Sequence, residues 1–202
     1  LTMIQLTERE RILRTFRHQE VDRIPMVDSA WAGTLKRWQT EGLPTGVDWV
    51  DHFGFDRMIK VCPDNSPRFE AKVLEKTDRY LIQTTPWGST IKNFNELDST
   101  PEFLDFYYRD SSKWEEAKAR MQIDYENRIP WKYLEENYPK WKKEGRFLQL
   151  LIWFGFDVTH SWMMGTENLL IAMMEEPEFP QDIFDTYLSR CEALFQRLWD
   201  AG

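Results

Sequence analysis

The chain has 202 residues, of which 42% are apolar and 30% are charged, and its formal net charge is -8. These values predict one packed domain and exclude a disordered chain. The acidic balance argues against nucleic acid or a membrane surface as a partner, because phosphate-binding faces need clustered Lys and Arg.

The opening of the chain predicts a helix followed by a strand. Residues 6–19, LTERERILRTFRHQ, have helical periodicity, and Thr7 with Glu10 has the spacing of a capping box. Residues 24–27, IPMV, then predict a short strand near an edge or bulge, because Pro25 cannot donate a ladder hydrogen bond.

Further elements follow before the middle of the chain. Short helices are expected over 34–44 and 47–56, and residues 57–61, RMIKV, predict a second strand. From residue 69 to 95 the apolar period changes to two, with turn residues between Thr- and Ile-rich runs. This segment therefore predicts an antiparallel hairpin or meander.

The second half alternates helices with one very apolar run. A helix capped by Ser111 or Ser112 is expected up to residue 121, and another over 131–145. Residues 148–154 predict a strand that is buried on both faces, as in parallel sheets covered by helices.

The C-terminal part predicts two helices. The first opens at Gly165, and the second begins at Pro177 or Pro180 and ends at Gly202. Cys191 lies on the apolar stripe of the last helix, so we interpret it as a core residue. Because neither Cys62 nor Cys191 follows a metal-ligand spacing, a reduced cytosolic compartment fits best. No apolar run reaches the roughly 18 residues of a membrane span.

Polar and aromatic residues follow two of the predicted strands. In barrel folds, residues just past the C-terminal strand ends form the site, and an Asp and a His three apart can bind a polar ligand or relay a proton. The alternative is that Asp157 or Thr159 only caps the next helix and that the imidazole packs beneath it. The predicted catalytic residues are Asp28, Asp157 and His160, and the predicted substrate-binding residues are Trp31, Trp153 and Met164.

Several segments together resemble the uroporphyrinogen decarboxylase superfamily. They are TERERILRTFRHQEVDRIPMVD at 7–28, EGLP, HFGFD at 52–56, PWGSTIK, and MGTENLLIAMMEEPE at 164–178. The resemblance covers nearly the whole chain. It implies an α/β fold: the N-terminal portion of a (β/α)8 TIM barrel, with an antiparallel β-hairpin excursion near residues 70–95.

The resemblance leaves three functions open. Decarboxylases of this superfamily carry an arginine pair after the first strand that grips substrate carboxylates, whereas this chain reads VDSAWAGTLKRW there. We therefore favour a methyltransferase-type enzyme that acts on a small substrate with a zinc or corrinoid partner. One alternative is uroporphyrinogen decarboxylation without a cofactor, and the other is a non-catalytic, ligand-binding barrel fragment.

The same resemblance bears on completeness. The zinc-binding His-x-Cys and later Cys of the methyltransferases belong to the second half of the barrel, so no metal ligand is expected within this chain. A full barrel takes about 250 residues, which predicts that residues 1–202 are an incomplete domain and inactive alone. An open barrel leaves strand edges unpaired, so association with a second copy or with further polypeptide is expected.

Overall fold

A computed structural model describes residues 5–122 and 124–201. In chain order the helices are α1 (Glu8–Phe16), α2 (Ala32–Glu41), α3 (Trp49–Phe53), α4 (Trp114–Arg120), α5 (Tyr125–Arg128), α6 (Trp131–Lys143), α7 (Phe156–Val158), α8 (Thr166–Glu175) and α9 (Glu178–Asp200). The strands are β1 (Met58–Val61), β2 (Val73–Lys76), β3 (Tyr80–Thr84), β4 (Ser89–Phe94), β5 (Glu102–Phe106) and β6 (Phe147–Leu150). No closed barrel is found in this part of the chain.

These residues form two compact units, each assembled from two stretches of the chain. The first unit contains residues 5–62 and 130–151, and the second contains the described residues of 63–129 and 152–201. The prediction of a single domain stays a prediction. None of the helices in residues 5–122 and 124–201 is long and apolar enough to cross a lipid bilayer.

Two of the predicted strands, over 57–61 and 148–154, correspond to strands of the first unit. β1 and β6 are paired in parallel from Met58 opposite Phe147 to Val61 opposite Leu150. This pairing, together with a separate antiparallel sheet, confirms a mixed α/β architecture. The strand expected over 148–154 is shorter than predicted, because its last ladder bond is Leu151 N to Val61 O at 2.9 Å. Its residues are half-buried rather than buried on both faces.

Helix α1 begins as its sequence indicates. The hydroxyl of Thr7 accepts a hydrogen bond from Glu10 N at 3.2 Å, and the Glu10 carboxylate accepts one from Thr7 N at 3.0 Å. The capping box is therefore confirmed. The helix ends at Phe16, whose ring packs edge-on against Phe147 of β6 with centroids 6.0 Å apart.

The strand predicted over residues 24–27 is wrong for the described chain, which is not paired in a sheet there. Instead, the backbone of Met26 bonds to Asp56: Met26 N donates to Oδ2 at 2.9 Å, and Asp56 N donates to Met26 O at 2.7 Å. A carboxylate therefore satisfies the N–H group that a ladder would have used.

A buried ion-pair network holds the first unit together. Arg11 donates to both oxygens of Asp22 at 2.7 Å and also bonds to Asp56. Arg23 donates to Asp56 at 2.7 and 3.0 Å, and the Asp56 side chain is fully buried. The paired guanidinium of Arg11 holds the pKa of Asp22 well below its usual range. The network joins two of the sequence segments on which the resemblance depends, 7–28 and 52–56.

The second unit contains a four-stranded antiparallel sheet in the order β2-β3-β4-β5. The meander predicted over 69–95 is confirmed, and β5 extends it by a strand that the sequence analysis missed. The register shifts between Val73 and Glu75 and again between Thr90 and Ile91. Such bulges bend a strand and end regular pairing.

Helices α4, α8 and α9 pack around an apolar core in the same unit. A 3-10 turn, Ser111–Lys113, precedes α4, and the capping oxygen belongs to Asp110, which accepts from Ser112 N at 2.9 Å. The predicted Ser cap is therefore wrong. Cys191 is 2% exposed, which confirms its place in the core of α9. The predicted helix end at Gly202 lies outside the described residues.

Candidate functional site

The residues that follow β6 carry most of the predicted site. The chain leaves the strand at Leu150 and enters the second unit, where Trp153, Asp157, His160 and Met164 all lie. The sequence between them forms α7 and then a π-helical turn, Thr159–Met163. π-Helical turns are rare and occur frequently at functional sites. The sequence analysis did not predict this π-helical turn.

Asp157 is held by an indole and faces an imidazole. Trp153 Nε1 donates to Asp157 Oδ2 at 2.6 Å, and His160 Nε2 lies 3.6 Å from Oδ1. The Asp157 side chain is 65% exposed, so its carboxylate is accessible to a ligand. The alternative in which Asp157 or Thr159 caps the next helix is not observed, because Gly165 occupies the N-cap position of α8 and Gly155 that of α7.

His160 contacts a polar group on each ring nitrogen. Its Nδ1 lies 3.1 Å from the hydroxyl oxygen of Thr166, and its Nε2 faces Asp157. The ring packs against Phe156 with centroids 5.1 Å apart, and the side chain is 29% exposed. The imidazole is therefore oriented from both ends and is not buried in the apolar core. An accessible imidazole beside a carboxylate can take part in proton transfer.

Two glycines bend the backbone of the segment. Gly155, at φ 75°, opens α7, and Thr159 Oγ1 donates to its carbonyl oxygen at 2.7 Å. Gly165, at φ 83°, precedes α8. A Cβ atom at Gly165 would lie 2.7 Å from Cε2 of Phe106, which is too close for any other residue. The segment therefore needs glycine at 165 for both its conformation and its packing.

Aromatic rings pack around Trp153, the indole that bonds to Asp157. Trp153 lies 5.7 Å from Trp162 and 6.4 Å from Trp87, measured between ring centroids. Trp162 packs in turn against Phe103 of the antiparallel sheet at 5.2 Å. Trp153 is 45% exposed and forms an open wall beside Asp157, whereas Met164 has no exposed surface and lies in the core.

Asn65 is a further residue of this site that the sequence analysis missed. Its side-chain amide donates to the carbonyl oxygen of Trp153 at 2.6 Å. Asn65 lies in the loop after β1, and Trp153 lies in the loop after β6, so the loops that follow the two parallel strands contact each other. The only sequence signal at Asn65 was the turn composition of PDNSP.

Asp28 and Trp31 lie in the first unit. Asp28 is exposed and accepts a hydrogen bond from Ser29 N at 2.7 Å. Trp31 is 54% exposed and stands at the N-cap position of α2. Their predicted grouping with the site residues of the second unit stays a prediction.

The described residues do not offer a metal site. Within 5–122 and 124–201, no group of three or more His, Cys, Asp or Glu side chains could hold a metal ion. Zinc in proteins takes three or four such ligands. The donor set that zinc would need is therefore not supplied by these residues.

Comparisons with known proteins add no relative. No protein-family model, no curated protein and no solved structure matches the chain.

Proposed function

We propose that the chain is the N-terminal portion of a uroporphyrinogen decarboxylase-like (β/α)8 barrel. In this proposal the enzyme transfers a methyl group to or from a small substrate. The pair Asp157 and His160 accepts the proton that the substrate thiol or hydroxyl loses. The observation that carries the proposal is the exposed Asp157–His160–Thr166 relay, which follows one strand of a parallel pair. Barrel enzymes place their chemistry after such strands.

The loop contact supports the barrel part of the proposal. Asn65 and Trp153 follow different parallel strands and are joined by a 2.6 Å hydrogen bond. Loops that follow neighbouring parallel strands lie at the same sheet edge, where α/β enzymes bind their substrates. The ion-pair network of Arg11, Asp22, Arg23 and Asp56 adds support. These residues lie in the segments 7–28 and 52–56 that resemble the superfamily, and the network gives them a role in the fold.

The relay has a defined chemical role. In the proposed step, Nδ1 of His160 carries its proton towards the Thr166 hydroxyl, and the unprotonated Nε2 accepts the proton of a substrate thiol or hydroxyl as that group becomes a nucleophile. The carboxylate of Asp157 then stabilises the imidazolium, and its 3.6 Å separation from Nε2 shortens when a ligand excludes water. Thr166 fixes the ring orientation through Nδ1. Trp153, which stands beside Asp157 in the same unit, is proposed to contact the substrate.

Zinc and a corrinoid protein remain proposed partners of the complete enzyme. The described residues supply no zinc ligand set of their own. A cytoplasmic location and association with a second copy are further parts of the proposal. In the described chain, β1 and β6 pair only with each other, which leaves an edge of each strand for further polypeptide.

Uroporphyrinogen decarboxylation has less support from the site. The segment after residue 27 contains Arg37, which would be its candidate carboxylate clamp. Arg37 instead pairs with Glu41 on the same helix at 2.7 Å. A substrate with many carboxylates needs free, converging cations.

The test uses the protein from the complete reading frame. Its zinc content is measured first, and transfer of the methyl group of methylcobalamin to a small thiol is followed by absorbance. Loss of carboxylates from uroporphyrinogen is measured in parallel. Zinc with methyl transfer supports the proposal. Uroporphyrinogen turnover would overturn it in favour of the decarboxylase, and no zinc with neither activity would overturn it in favour of a binding protein.

A further inference from the structure

One side of α9 exposes an apolar row to solvent. Leu188, Phe195 and Trp199 are 48%, 37% and 83% exposed. Side chains at i, i+7 and i+11 lie on one side of a helix that has 3.6 residues per turn. The row lies beside the buried face of α9, which contains Tyr187 and Leu194. Helix α9 therefore has two adjacent apolar faces, one buried in the core and one exposed.

An acidic row borders the exposed apolar row. Asp185 and Glu192 are both exposed and are seven residues apart, so they lie on the same side of α9. Glu192 follows Leu188 by four positions and precedes Phe195 by three, which makes its side chain a surface neighbour of both. Asp185 precedes Leu188 by three positions. Each carboxylate therefore stands next to the apolar row.

The described residues do not neutralise these two carboxylates. Across 5–122 and 124–201, neither Asp185 nor Glu192 forms an ion pair, and the ion pairs of α9 use Asp182 and Arg197 instead. Asp185 accepts a hydrogen bond from the neutral amide of Gln181 at 2.9 Å. Two negative charges therefore stand beside the apolar row without a cationic partner in this part of the chain.

The arginines of α9 stand on another side of the helix. Arg190 follows Asp185 by five positions, and Arg197 follows Glu192 by five, which is a rotation of about 140° in each case. The charged residues that border the exposed apolar row are therefore acidic.

We propose that this side of α9 binds a basic amphipathic helix of a partner protein. The α9 surface consists of the apolar row, Leu188, Phe195 and Trp199, and of the acidic row, Asp185 and Glu192. Paired helices bury apolar residues that repeat along one side, and charged residues beside that seam select a partner of opposite charge. The apolar row supplies the seam, and the two carboxylates select Lys or Arg on the partner helix.

Charge disfavours two other occupants of the α9 surface. A second copy that paired its own α9 with this one would bring acidic residues close to acidic residues, and like charges across an interface repel. A helix that lies on an anionic membrane carries Lys and Arg beside its apolar face, whereas α9 carries Asp185 and Glu192 there. A basic helix is the occupant that complements both rows.

The length of the α9 surface sets the length of the partner helix. Residues 185–199 extend about 21 Å at a rise of 1.5 Å per residue. A helix of three heptads is about 31 Å long and covers this distance. The proposal is independent of the methyl-transfer function, because it concerns neither Asp157 nor His160.

Fluorescence anisotropy with three labelled peptides tests the proposal on the 202-residue chain. The first peptide has three heptads with Leu at the two seam positions, Lys at the flanking positions, and Ala and Gln elsewhere. The second has the same composition in an order that forms no apolar side, and the third has Glu in place of Lys. We expect saturable binding of the Lys peptide, and binding of the other two that is at least about tenfold weaker.

Single variants test the apolar row. We expect Leu188→Gln and Trp199→Ser each to bind the Lys peptide at least about fivefold more weakly than wild type, because each removes a buried apolar contact. Trp199 is 83% exposed, so its variant keeps the test valid if Leu188→Gln does not fold. Leu97→Gln is the matched control, because Leu97 is 61% exposed and follows β4. This control should bind as wild type.

A double charge reversal tests the acidic row. Asp185→Lys combined with Glu192→Lys should weaken binding of the Lys peptide and strengthen binding of the Glu peptide, so that the preference between them is reversed. Glu96→Lys combined with Asp98→Lys makes the same change in net charge at two exposed positions. This control should keep the preference of the wild type.

Several results would overturn the proposal. They are the absence of saturable binding of the Lys peptide, equal binding of the reordered peptide, wild-type binding by Leu188→Gln and Trp199→Ser, and the same peptide preference in both double variants. Self-association of the wild type that Leu188→Gln abolishes in sedimentation would overturn it in favour of a second copy. Binding to vesicles of phosphatidylcholine and phosphatidylserine that Trp199→Ser abolishes would overturn it in favour of a membrane.

Discussion

The indole nitrogen of Trp153 donates a 2.6 Å hydrogen bond to Oδ2 of Asp157, four residues further along the chain. The bond fixes one oxygen of a carboxylate that is otherwise exposed, and the other oxygen faces His160 at 3.6 Å. Trp153 therefore positions the carboxylate, and the negative charge of the carboxylate faces His160. An orienting group in an acid–base pair needs both properties.

Asp157→Asn separates catalytic from structural roles at this position. We expect the variant to lower the methyl-transfer rate by about 10²–10⁴-fold, because it removes the charge that stabilises the imidazolium. Stability should change little, since the side chain is 65% exposed. Asp185→Asn, which alters an exposed carboxylate that accepts from Gln181, is the matched control. A wild-type rate for Asp157→Asn in the same assay would contradict this role.

Asp56→Asn tests the ion-pair network of the first unit. The fully buried carboxylate pairs with both Arg11 and Arg23, so its loss leaves Arg23 without a carboxylate partner and Arg11 with Asp22 alone. We expect a loss of about 3–5 kcal/mol in the free energy of unfolding, measured by urea denaturation. Asp51→Asn removes a pair with Arg57 whose carboxylate is 72% exposed, and should cost less than about 1 kcal/mol. Equal losses of unfolding free energy for the two variants would show that burial of the Asp56 carboxylate does not increase its contribution.

Acid should weaken the same network through Asp22. Its hydrogen bonds from Arg11 hold its folded-state pKa below the unfolded value of about 3.9. A group with a depressed folded-state pKa stabilises the protein above its unfolded pKa, and this contribution is lost as the pH falls towards the folded value. The stability advantage of wild type over Asp22→Asn should therefore shrink below about pH 4.

The measurement is the urea midpoint at pH 7 and at pH 3 for wild type and Asp22→Asn. Asp98→Asn serves as the control, because it changes an exposed carboxylate outside the network. A constant difference between wild type and Asp22→Asn at both pH values would show that Asp22 does not contribute through its charge.

Gly165→Ala should be more destabilising than Gly46→Ala. Both glycines have a positive φ, at 83° and 81°, so the backbone strain of the substitutions is similar. At Gly165 the new Cβ would lie 2.7 Å from Cε2 of Phe106. At Gly46 no atom lies within 4 Å of the new Cβ. We expect a loss of about 1–3 kcal/mol beyond that of Gly46→Ala, from overpacking.

Thermal melting of both variants provides the comparison. Phe106→Leu in the Gly165→Ala background should recover part of the loss, because the smaller side chain removes the contact. Equal melting temperatures for Gly165→Ala and Gly46→Ala would show that the segment before α8 adjusts without strain.

Local patterns predicted the local elements of this fold. The capping box at Thr7 and Glu10 and the two-residue period after residue 69 each depend on neighbours in the sequence, and the structure contains both. The strand expected over 24–27 failed because Asp56, remote in sequence, takes its backbone bonds. A local sequence pattern does not indicate a hydrogen-bond partner that is remote in the sequence.

The site was predictable only in part for the same reason. Asp157 and His160 are three residues apart, so their proximity followed from sequence spacing. Asn65 contacts Trp153 across 88 positions, so only the folded chain brings them together. The alternation of EFLDF in β5 was present in the sequence and was overlooked.

We propose that this chain belongs to a methyl-transferring barrel enzyme whose proton relay is Asp157 and His160. The most direct test is the rate of methyl transfer from methylcobalamin to a small thiol by the protein from the complete reading frame, compared with its His160→Gln variant. We expect measurable transfer by the wild type and a loss of about 10²–10⁴-fold in the variant. Turnover of uroporphyrinogen without methyl transfer, or equal transfer rates for wild type and His160→Gln, would contradict it.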